Sequence, residues 1–143
     1  MGPLDGIKVI EISTIITASL SAMMLSDQGA EVIKIEQTGF GDPLRYLGTQ
    51  KGGISAIFAN TNRGKKSIEL DLKNESDLEQ SKKLISEADV LINNFRPGVM
   101  DSLGLGKEDC KALYINLIYV AITGFGKEGP YANAPAYDHV VQA

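Results

Sequence analysis

Two short segments rich in isoleucine and valine, separated by one helix-length segment, restrict the fold of this chain more than any other feature. Residues 7–12, IKVIEI, and residues 31–35, EVIKI, are typical of strands buried in a sheet. The intervening residues 18–26, ASLSAMMLS, are small or apolar and predict a helix that is buried on most sides. A strand, a helix and a strand this closely spaced predict a right-handed βαβ unit, and therefore an α/β fold.

The same alternation continues along the chain. Glycine-rich residues 37–64 predict an excursion with a short helix near residues 54–60, and Asn74 is a residue type that caps helices. Strands alternating with helices predict a Rossmann-like, open and mostly parallel sheet with flanking helices, with ligand loops at the carboxyl ends of its strands. The further predicted strands are residues 67–72, 90–92 and 117–123, and the further predicted helices are 74–87 and 107–113.

Composition argues against several classes of function. The net charge of −4 argues against general nucleic-acid binding, and one histidine with one cysteine does not supply a conventional zinc site. No apolar run approaches the roughly 20 residues that cross a bilayer, and the first residues do not form a secretory signal. A single cysteine suits a reducing compartment. We therefore expect a cytoplasmic protein without a metal, nucleic-acid or membrane partner.

Basic residues and a proline-stiffened loop are the first candidates for ligand binding. Arg63, Lys65 and Lys66 form the densest basic cluster, which is either a phosphate cradle or a solvated face. Arg96 lies in the sequence NNFRPG, where Pro97 stiffens the loop. Asn94 and Phe95 beside it can offer a hydrogen bond and a stacking face to an adenine, or Asn94 can simply cap the turn.

The remaining polar candidates have competing interpretations. The glycine-containing loops at residues 39–42 and 124–130 suit phosphate binding or ordinary turns, and neither is a dinucleotide fingerprint. His139 is either a general base or a partly buried structural residue. Asp138 can be a nucleophile, a helix cap or a substrate contact. Cys110 lies among charged residues of a predicted helix, with no histidine near it in the sequence, and is not expected to be a nucleophile.

Six ordered segments together resemble the family III coenzyme A transferases. That family includes formyl-CoA, carnitine-CoA and succinyl-CoA-dependent transferases and the α-methylacyl-CoA racemases. The resemblance runs through all 143 residues, which correspond to about the first third of a usual member. The segments are PLDGIKVIEIS at 3–13, DQGAEVIKIE at 27–36, GDP at 41–43, NRGKKSIELDLK at 62–73, ADVLINNFRPGVMDSLGLG at 88–106 and LIYVAITGFGKEGPYANAPAYDHVVQA at 117–143.

This resemblance implies that residues 1–143 are the N-terminal part of a CoA-binding Rossmann-like domain, truncated relative to the family fold. Such transferases form interlocked homodimers and move CoA from an acyl-CoA to a small carboxylic acid. An aspartate attacks the acyl-CoA, and the resulting anhydride becomes an aspartyl-CoA thioester that the incoming carboxylate resolves. The resemblance places that aspartate downstream of Ala143, so we expect these 143 residues alone to be inactive and marginally stable.

The resemblance also implies which residues contact coenzyme A or acyl-CoA, with no metal required. Tyr137 and Asp138 correspond to a pair near the acyl end of the site. The expected contacts with CoA are Leu70, Asp71, Leu72 and Lys73, after the NRGKKS motif, and Asn94, Phe95 and Arg96, in the NFRPG loop.

Departures from the family pattern bear on which member this chain resembles. The racemases have a histidine directly before the aspartate, at the position of Tyr137, so tyrosine here favours a transferase. Ile16 replaces a glutamine of the formyl-CoA enzyme, whereas Gln37 and Ser102 replace arginines. These differences argue against oxalate chemistry and tight phosphate binding. The alternatives are an α-methylacyl-CoA racemase and a non-catalytic, truncated CoA-binding remnant.

Overall fold

The computed structural model describes residues 2–137 and residue 142, and its centre is a parallel β-sheet. A short 3-10 turn covers Pro43–Tyr46. The strands are β1 Lys8–Ile12, β2 Glu31–Glu36, β3 Gln50–Lys51, β4 Ile54–Ser55, β5 Lys66–Glu69, β6 Val90–Asn93 and β7 Ile118–Ala121. The helices are α1 Thr17–Asp27, α2 Ala56–Asn62, α3 Glu75–Ser86, α4 Val99–Ser102 and α5 Lys107–Leu113.

Five strands form the sheet in the order β5-β2-β1-β6-β7, and every neighbouring pair is parallel. The chain runs outward from β1 through β2 to β5, then crosses back to place β6 and β7 on the other side of β1. The order therefore reverses between β1 and β6, as in doubly wound folds that bind ligands at this point. The predicted α/β fold with a parallel sheet is confirmed. Strands β3 and β4 form a separate antiparallel hairpin.

The two faces of the sheet are covered by different helices. Ile10 and Ile12 of β1 point into one apolar cluster, which includes residues of α3, α4 and α5. Val9, on the opposite face, packs with Ala18 and Ala22 of α1. Side chains alternate along a strand, so Glu11 shares the α1 face with Val9.

The predicted strands and helices are all present, with some different limits. β5 ends at Glu69 rather than residue 72, because its sheet neighbour β2 ends at Glu36, the residue paired with Glu69. Residues 18–26 of the first helix are buried or partly buried except for a stripe at Leu20 and Met24, which are 38% and 55% exposed. Asn74 does cap α3, accepting backbone hydrogen bonds from the first turn. The sequence analysis missed the hairpin and α4, which are too short for a periodic signal.

No helix within the described part of the chain is both long enough and apolar enough to cross a membrane.

Candidate functional site

The carboxyl edge of the sheet gathers most of the residues that the sequence singled out. Residues 13–16 follow β1, residues 70–73 follow β5, residues 94–96 follow β6 and residues 122–127 follow β7. Strands lie about 4.8 Å apart, so the ends of β5 and β6, three positions apart in the sheet, are separated by about 14 Å. An extended ligand laid along this edge can reach both groups.

Asn94 joins the end of β6 to the loop that follows β1. Its Oδ1 accepts a hydrogen bond from the Thr14 backbone N–H at 3.1 Å. Its Nδ2 donates to the Thr14 carbonyl at 2.8 Å and to the Thr17 hydroxyl at 3.0 Å. Both amide hydrogens are therefore engaged within the protein, and only Oδ1 retains capacity for a ligand. Asn94 is a clamp across 80 residues of sequence, rather than a cap of its own turn.

Asp42 holds the next peptide of the same loop. Its Oδ1 accepts hydrogen bonds from the backbone N–H groups of Ile15 at 3.0 Å and Leu44 at 2.9 Å. Ile15 has a φ of 66°, and is the one non-glycine among the described residues with a positive φ. A β-branched residue in this region is strained, and such strain persists only where several surrounding contacts enforce it.

A network of four buried charges lies under this loop. Glu11 and Lys34 are paired across β1 and β2, and on the same face of the sheet their Oε1 and Nζ atoms lie 2.6 Å apart. Lys34 Nζ also lies 2.9 Å from Asp42 Oδ2, and Lys65 Nζ lies 2.7 Å from Glu11 Oε2. Two carboxylates thus balance two ammonium groups, all with side chains at most 2% exposed.

The protonation of this network follows from burial and pairing. Burial raises the pKa of Glu11, but the charges of Lys34 and Lys65 outweigh it and hold that pKa below its usual value. Burial also lowers the pKa of Lys65, against the opposing effect of Glu11. The hydroxyls of Ser13 and Ser19 donate to Glu11 Oε1 at 2.6 and 2.9 Å, which further satisfies its carboxylate. Glu11 and its two lysine partners therefore act as a cross-link inside the fold.

The basic cluster of the NRGKKS motif does not form an open phosphate cradle. Arg63 pairs with Asp27 of α1, and Lys66 pairs with Glu31 at the start of β2, both at 2.5 Å. Lys65 is buried in the charge network, where its Nζ also donates to the Ser19 carbonyl at 2.7 Å. Each cation thus neutralises an acid of an adjacent element. The alternative, a basic cluster exposed to solvent, is also wrong for Lys65, whose side chain is buried.

Glu36, at the end of β2, forms a second cluster, which is joined to the first through Asp42. It accepts two hydrogen bonds from Arg45, at 2.8 and 2.6 Å, one from Ser67 at 2.6 Å and one from the Asp42 N–H at 2.8 Å. Although burial opposes ionisation, these donors together lower the pKa of Glu36 to about 2. The Arg45 guanidinium also lies 4.0 Å from the centre of the Phe58 ring. Arg45 is thus committed to the protein rather than to a ligand.

A shallow groove, with room for about one water molecule, lies between the ends of β6 and β7. Phe95, Arg96 and Pro97 line one side of it, and Thr123 and Lys127 contribute from the loop after β7. Within residues 2–137 and 142, neither Arg96 nor Lys127 has an ion pair or a side-chain hydrogen bond. Sequence reasoning did not single out Lys127, although it lies in the glycine loop at 124–130. The groove thus presents two uncommitted cations beside an aromatic ring.

The other predicted contacts differ in their accessibility. Leu70 is 5% exposed and packs in the hydrophobic core, as Leu72 does in part. Asp71 closes a turn by accepting the Lys73 N–H at 3.0 Å, whereas the side chain of Lys73 is exposed. A ligand can therefore meet the main chain of this segment and the Lys73 ammonium, but not the Leu70 side chain.

Two further candidate site residues, Tyr137 and Cys110, differ in their exposure to solvent. Tyr137 is 68% exposed, and its predicted partner Asp138 lies outside the described residues, as does His139. Cys110 is fully buried on α5, and burial raises the pKa of its thiol to about 11. A thiol protonated at neutral pH and shielded from solvent is a poor nucleophile, in agreement with the sequence analysis.

Comparisons with known proteins agree on one family. The family described as CoA-transferase family III matches residues 4–143. The acetyl-CoA:oxalate CoA-transferase of Acetobacter aceti is 45% identical over 99% of this chain and 36% of its own length. The human succinyl-CoA:glutarate CoA-transferase is 37% identical over 99% of this chain and 32% of its own.

A solved structure shows the same fold. The crystal structure of a CAIB/BAIF family protein from Brucella suis superimposes with a TM-score of 0.93 at 42% identity, covering 99% of this chain and 38% of that one. This chain therefore spans only about a third of the length of the relatives it matches.

Proposed function

Because the chain belongs to CoA-transferase family III, we propose that it binds acyl-CoA and serves the transfer of CoA to a small carboxylic acid. The observation that carries this proposal is the match of residues 4–143 to the family, together with 45% identity to a CoA-transferase over 99% of the chain. The two relatives described above are named for oxalate and glutarate, which are both dicarboxylic acids. A small dicarboxylic acid is therefore the acceptor class to test first, even though Ile16 departs from the formyl-CoA enzyme.

The geometry of the carboxyl edge supports binding of an extended nucleotide thioester. Residues 70–73 and 94–96 lie about 14 Å apart on this edge, which suits a ligand longer than a mononucleotide. Phe95 offers a partly buried ring, and Arg96 and Lys127 offer positive charge for phosphate oxygens. In this proposal, CoA contacts the main chain at Leu70, Asp71 and Leu72 and the side chain of Lys73. Tyr137 and Asp138 lie toward the acyl end.

The proposed reaction proceeds through an aspartate that the family resemblance places after Ala143. Its carboxylate attacks the thioester carbonyl, forms a mixed anhydride and releases CoA as the thiolate. The thiolate attacks the aspartyl carbonyl, which gives the aspartyl-CoA thioester and frees the donor carboxylate. The acceptor carboxylate attacks the aspartyl thioester, which forms a second mixed anhydride and displaces CoA as the thiolate. The thiolate then attacks the acceptor carbonyl of this anhydride, which forms the new acyl-CoA and restores the aspartate carboxylate. Residues 1–143 contribute the part that binds and orients CoA, whose remote binding energy aligns the thioester.

We further propose that the protein acts in the cytoplasm as a homodimer. The buried, reduced Cys110 is compatible with a reducing compartment. The exposed apolar residues at the edge of the sheet are compatible with coverage by another part of the assembly.

The test uses the protein expressed from its complete gene. Acyl-CoA donors are mixed with isotopically labelled carboxylic acids, and the appearance of labelled acyl-CoA is followed by mass spectrometry. Arg96→Ala is expected to raise the KM for acyl-CoA about tenfold or more, because a charge-assisted hydrogen bond to phosphate is lost. Arg63→Ala is the matched control, since Arg63 pairs with Asp27 away from the groove.

Other outcomes identify the alternatives. Exchange of the α-hydrogen of a 2-methylacyl-CoA with deuterated solvent, without CoA transfer, indicates the racemase. CoA binding without either reaction indicates the non-catalytic remnant. Absence of CoA binding contradicts all three functions.

A further inference from the structure

The loop of residues 13–16, between β1 and α1, is held at two successive residues by side chains from distant parts of the chain. Asn94 bonds both the N–H and the carbonyl of Thr14, at 3.1 and 2.8 Å. Asp42 accepts the N–H of Ile15 at 3.0 Å. These contacts span 80 and 27 residues of sequence, so the conformation of the loop depends on the assembled fold.

The hydrogen bonds from Asn94 and Asp42 hold Ile15 in a backbone conformation that isoleucine does not favour. Its φ of 66° is a conformation that glycine adopts freely and that a β-branched side chain resists. Asp42 is itself 1% exposed, and its second oxygen lies 2.9 Å from Lys34 Nζ, so the carboxylate is fixed in place. A strained residue enforced by a buried ion pair marks a position where backbone geometry matters, and such positions cluster at functional sites.

The location of the loop indicates what the geometry controls. The loop lies at the reversal of strand order between β1 and β6, directly beside the segment that carries Phe95 and Arg96. Ile16, the next residue after the strained one, is 42% exposed, and α1 begins at Thr17. The φ of Ile15 therefore sets the direction in which Ile16 and the first turn of α1 leave the carboxyl edge of the sheet.

We propose that Asp42 is a positioning residue, which together with Asn94 holds the Thr14–Ile15 backbone so that Ile16 faces bound acyl-CoA. This role rests on the proposed function and adds a residue to it. Asp42 does not touch the substrate; it acts through the N–H of Ile15. Lys34 Nζ lies 2.9 Å from the second oxygen of Asp42 and orients the carboxylate.

Two substitutions at Ile15 separate backbone geometry from side-chain loss. Ile15→Gly relieves the strain and frees the loop, whereas Ile15→Ala removes most of the side chain but keeps the preference against positive φ. We expect Ile15→Gly to lower kcat about 10- to 100-fold, the scale of a misplacement near 1 Å, without lowering the melting temperature. Ile15→Ala should lose less kcat than Ile15→Gly. The matched control is Ile115→Gly, which changes an isoleucine that is 81% exposed and precedes β7 at the opposite edge.

Two substitutions at Asp42 test the carboxylate itself. Asp42→Asn keeps an oxygen for the Ile15 N–H, and Asp42→Ala does not. We expect Asp42→Asn to retain about tenfold more kcat than Asp42→Ala when both are compared at equal folded fraction, with KM for acyl-CoA changed much less than kcat. Hydrogen exchange at the Ile15 amide should be slow in the wild type and fast in Asp42→Ala.

The outcomes distinguish this role from the proposed function. An active wild type whose kcat is unaffected by Ile15→Gly overturns the positioning role alone, as does an Asp42→Ala variant that loses activity only in proportion to its unfolded fraction. A wild type without CoA transfer overturns the proposed function, and the positioning role with it.

Discussion

At the scale of single residues, the carboxylates beneath the carboxyl edge of the sheet are held by the cations and amides that surround them. Glu11 is shared between two lysines, Asp42 bonds two backbone amides, and Glu36 is held by the fork of Arg45. The pKa values of Glu11 and Glu36 are lowered, because the donors stabilise the charge that burial destabilises. The edge of the sheet is thus built on ionised groups that are committed to structure.

Glu36 is expected to give the protein an acid-sensitive component of stability. Its pKa is lowered from 4.5 to about 2, so its contribution is present above pH 4.5 and is lost as the pH falls through about 2. That contribution is at most about 3 kcal/mol, and about 2 kcal/mol once the partial exposure of Arg45 is considered. Glu36→Gln should therefore be less stable at pH 7 by about 2 kcal/mol, with the difference from wild type shrinking toward pH 2.

Urea denaturation at a series of pH values measures this difference. Glu128→Gln, in the exposed loop after β7, is the control and should have an unfolding free energy within about 0.5 kcal/mol of wild type at each pH. A constant difference between Glu36→Gln and wild type from pH 7 to pH 2 would contradict the argument.

At the scale of strands and helices, the buried charge network adds polar contacts among β1, β2, α1 and the start of β5 to those of the hydrophobic core. Glu11 and Lys34 connect β1 to β2, and Lys65, which directly precedes β5, bonds both Glu11 and the carbonyl of Ser19 in α1. Removing one partner of a buried ion pair leaves an uncompensated charge, which is more costly than the pair itself is stabilising. The network therefore fixes α1 against β1 and against the start of β5.

Two adjacent lysines provide a matched test of this arrangement. Lys65 has a side chain 2% exposed and Lys66 one 70% exposed, and each is paired with a glutamate. Lys65→Met should lower the free energy of unfolding by about 3 to 5 kcal/mol, because Glu11 keeps one of its two lysine partners but loses the other. Lys66→Met should lower it by less than about 1 kcal/mol. Chemical denaturation of the two variants checks this, and equal losses would show that the network does not link the elements.

At the scale of the whole molecule, the described residues leave apolar side chains on the surface, and the sheet ends at β5 on one side and at β7 on the other. Among the described residues, β7 pairs only with β6, and its Ile118 is 60% exposed, whereas β5 carries Lys66 and Glu69. An exposed strand edge with apolar side chains is a site of association with other chains. Further exposed apolar side chains are Met24, Tyr46, Ile54, Ile115, Tyr131 and Tyr137.

The 143-residue chain by itself is expected to self-associate through this edge. Ile118→Lys places a charge on β7 and should reduce the associated fraction at least severalfold, because edge lysines oppose strand pairing. Asn133→Lys, in an exposed turn, adds the same charge elsewhere and should change little. Analytical ultracentrifugation with dye binding to apolar surface measures both, and a monomeric wild-type chain with a sharp, cooperative thermal transition would contradict the expectation.

The sequence alone predicted the elements whose signals are local. Runs of β-branched residues at 7–12 and 31–35 form strands because each residue's backbone preference and burial agree. Asn74 caps α3 because its side chain reaches amides only two and three residues away. The order of these motifs also indicated the family, since it reflects the whole chain rather than one site.

Only the tertiary structure decided which polar side chains are available to a ligand. Sequence treats Lys65 and Lys66 alike, yet the fold buries the Lys65 side chain against Glu11 and leaves that of Lys66 exposed beside Glu31. The partners of Asn94 and Asp42 lie 80 and 27 residues away, and the strain at Ile15 exists only because both partners are in place. Such contacts depend on the crossover connections of the sheet, which bring distant segments to one edge, and no local pattern in the sequence encodes them.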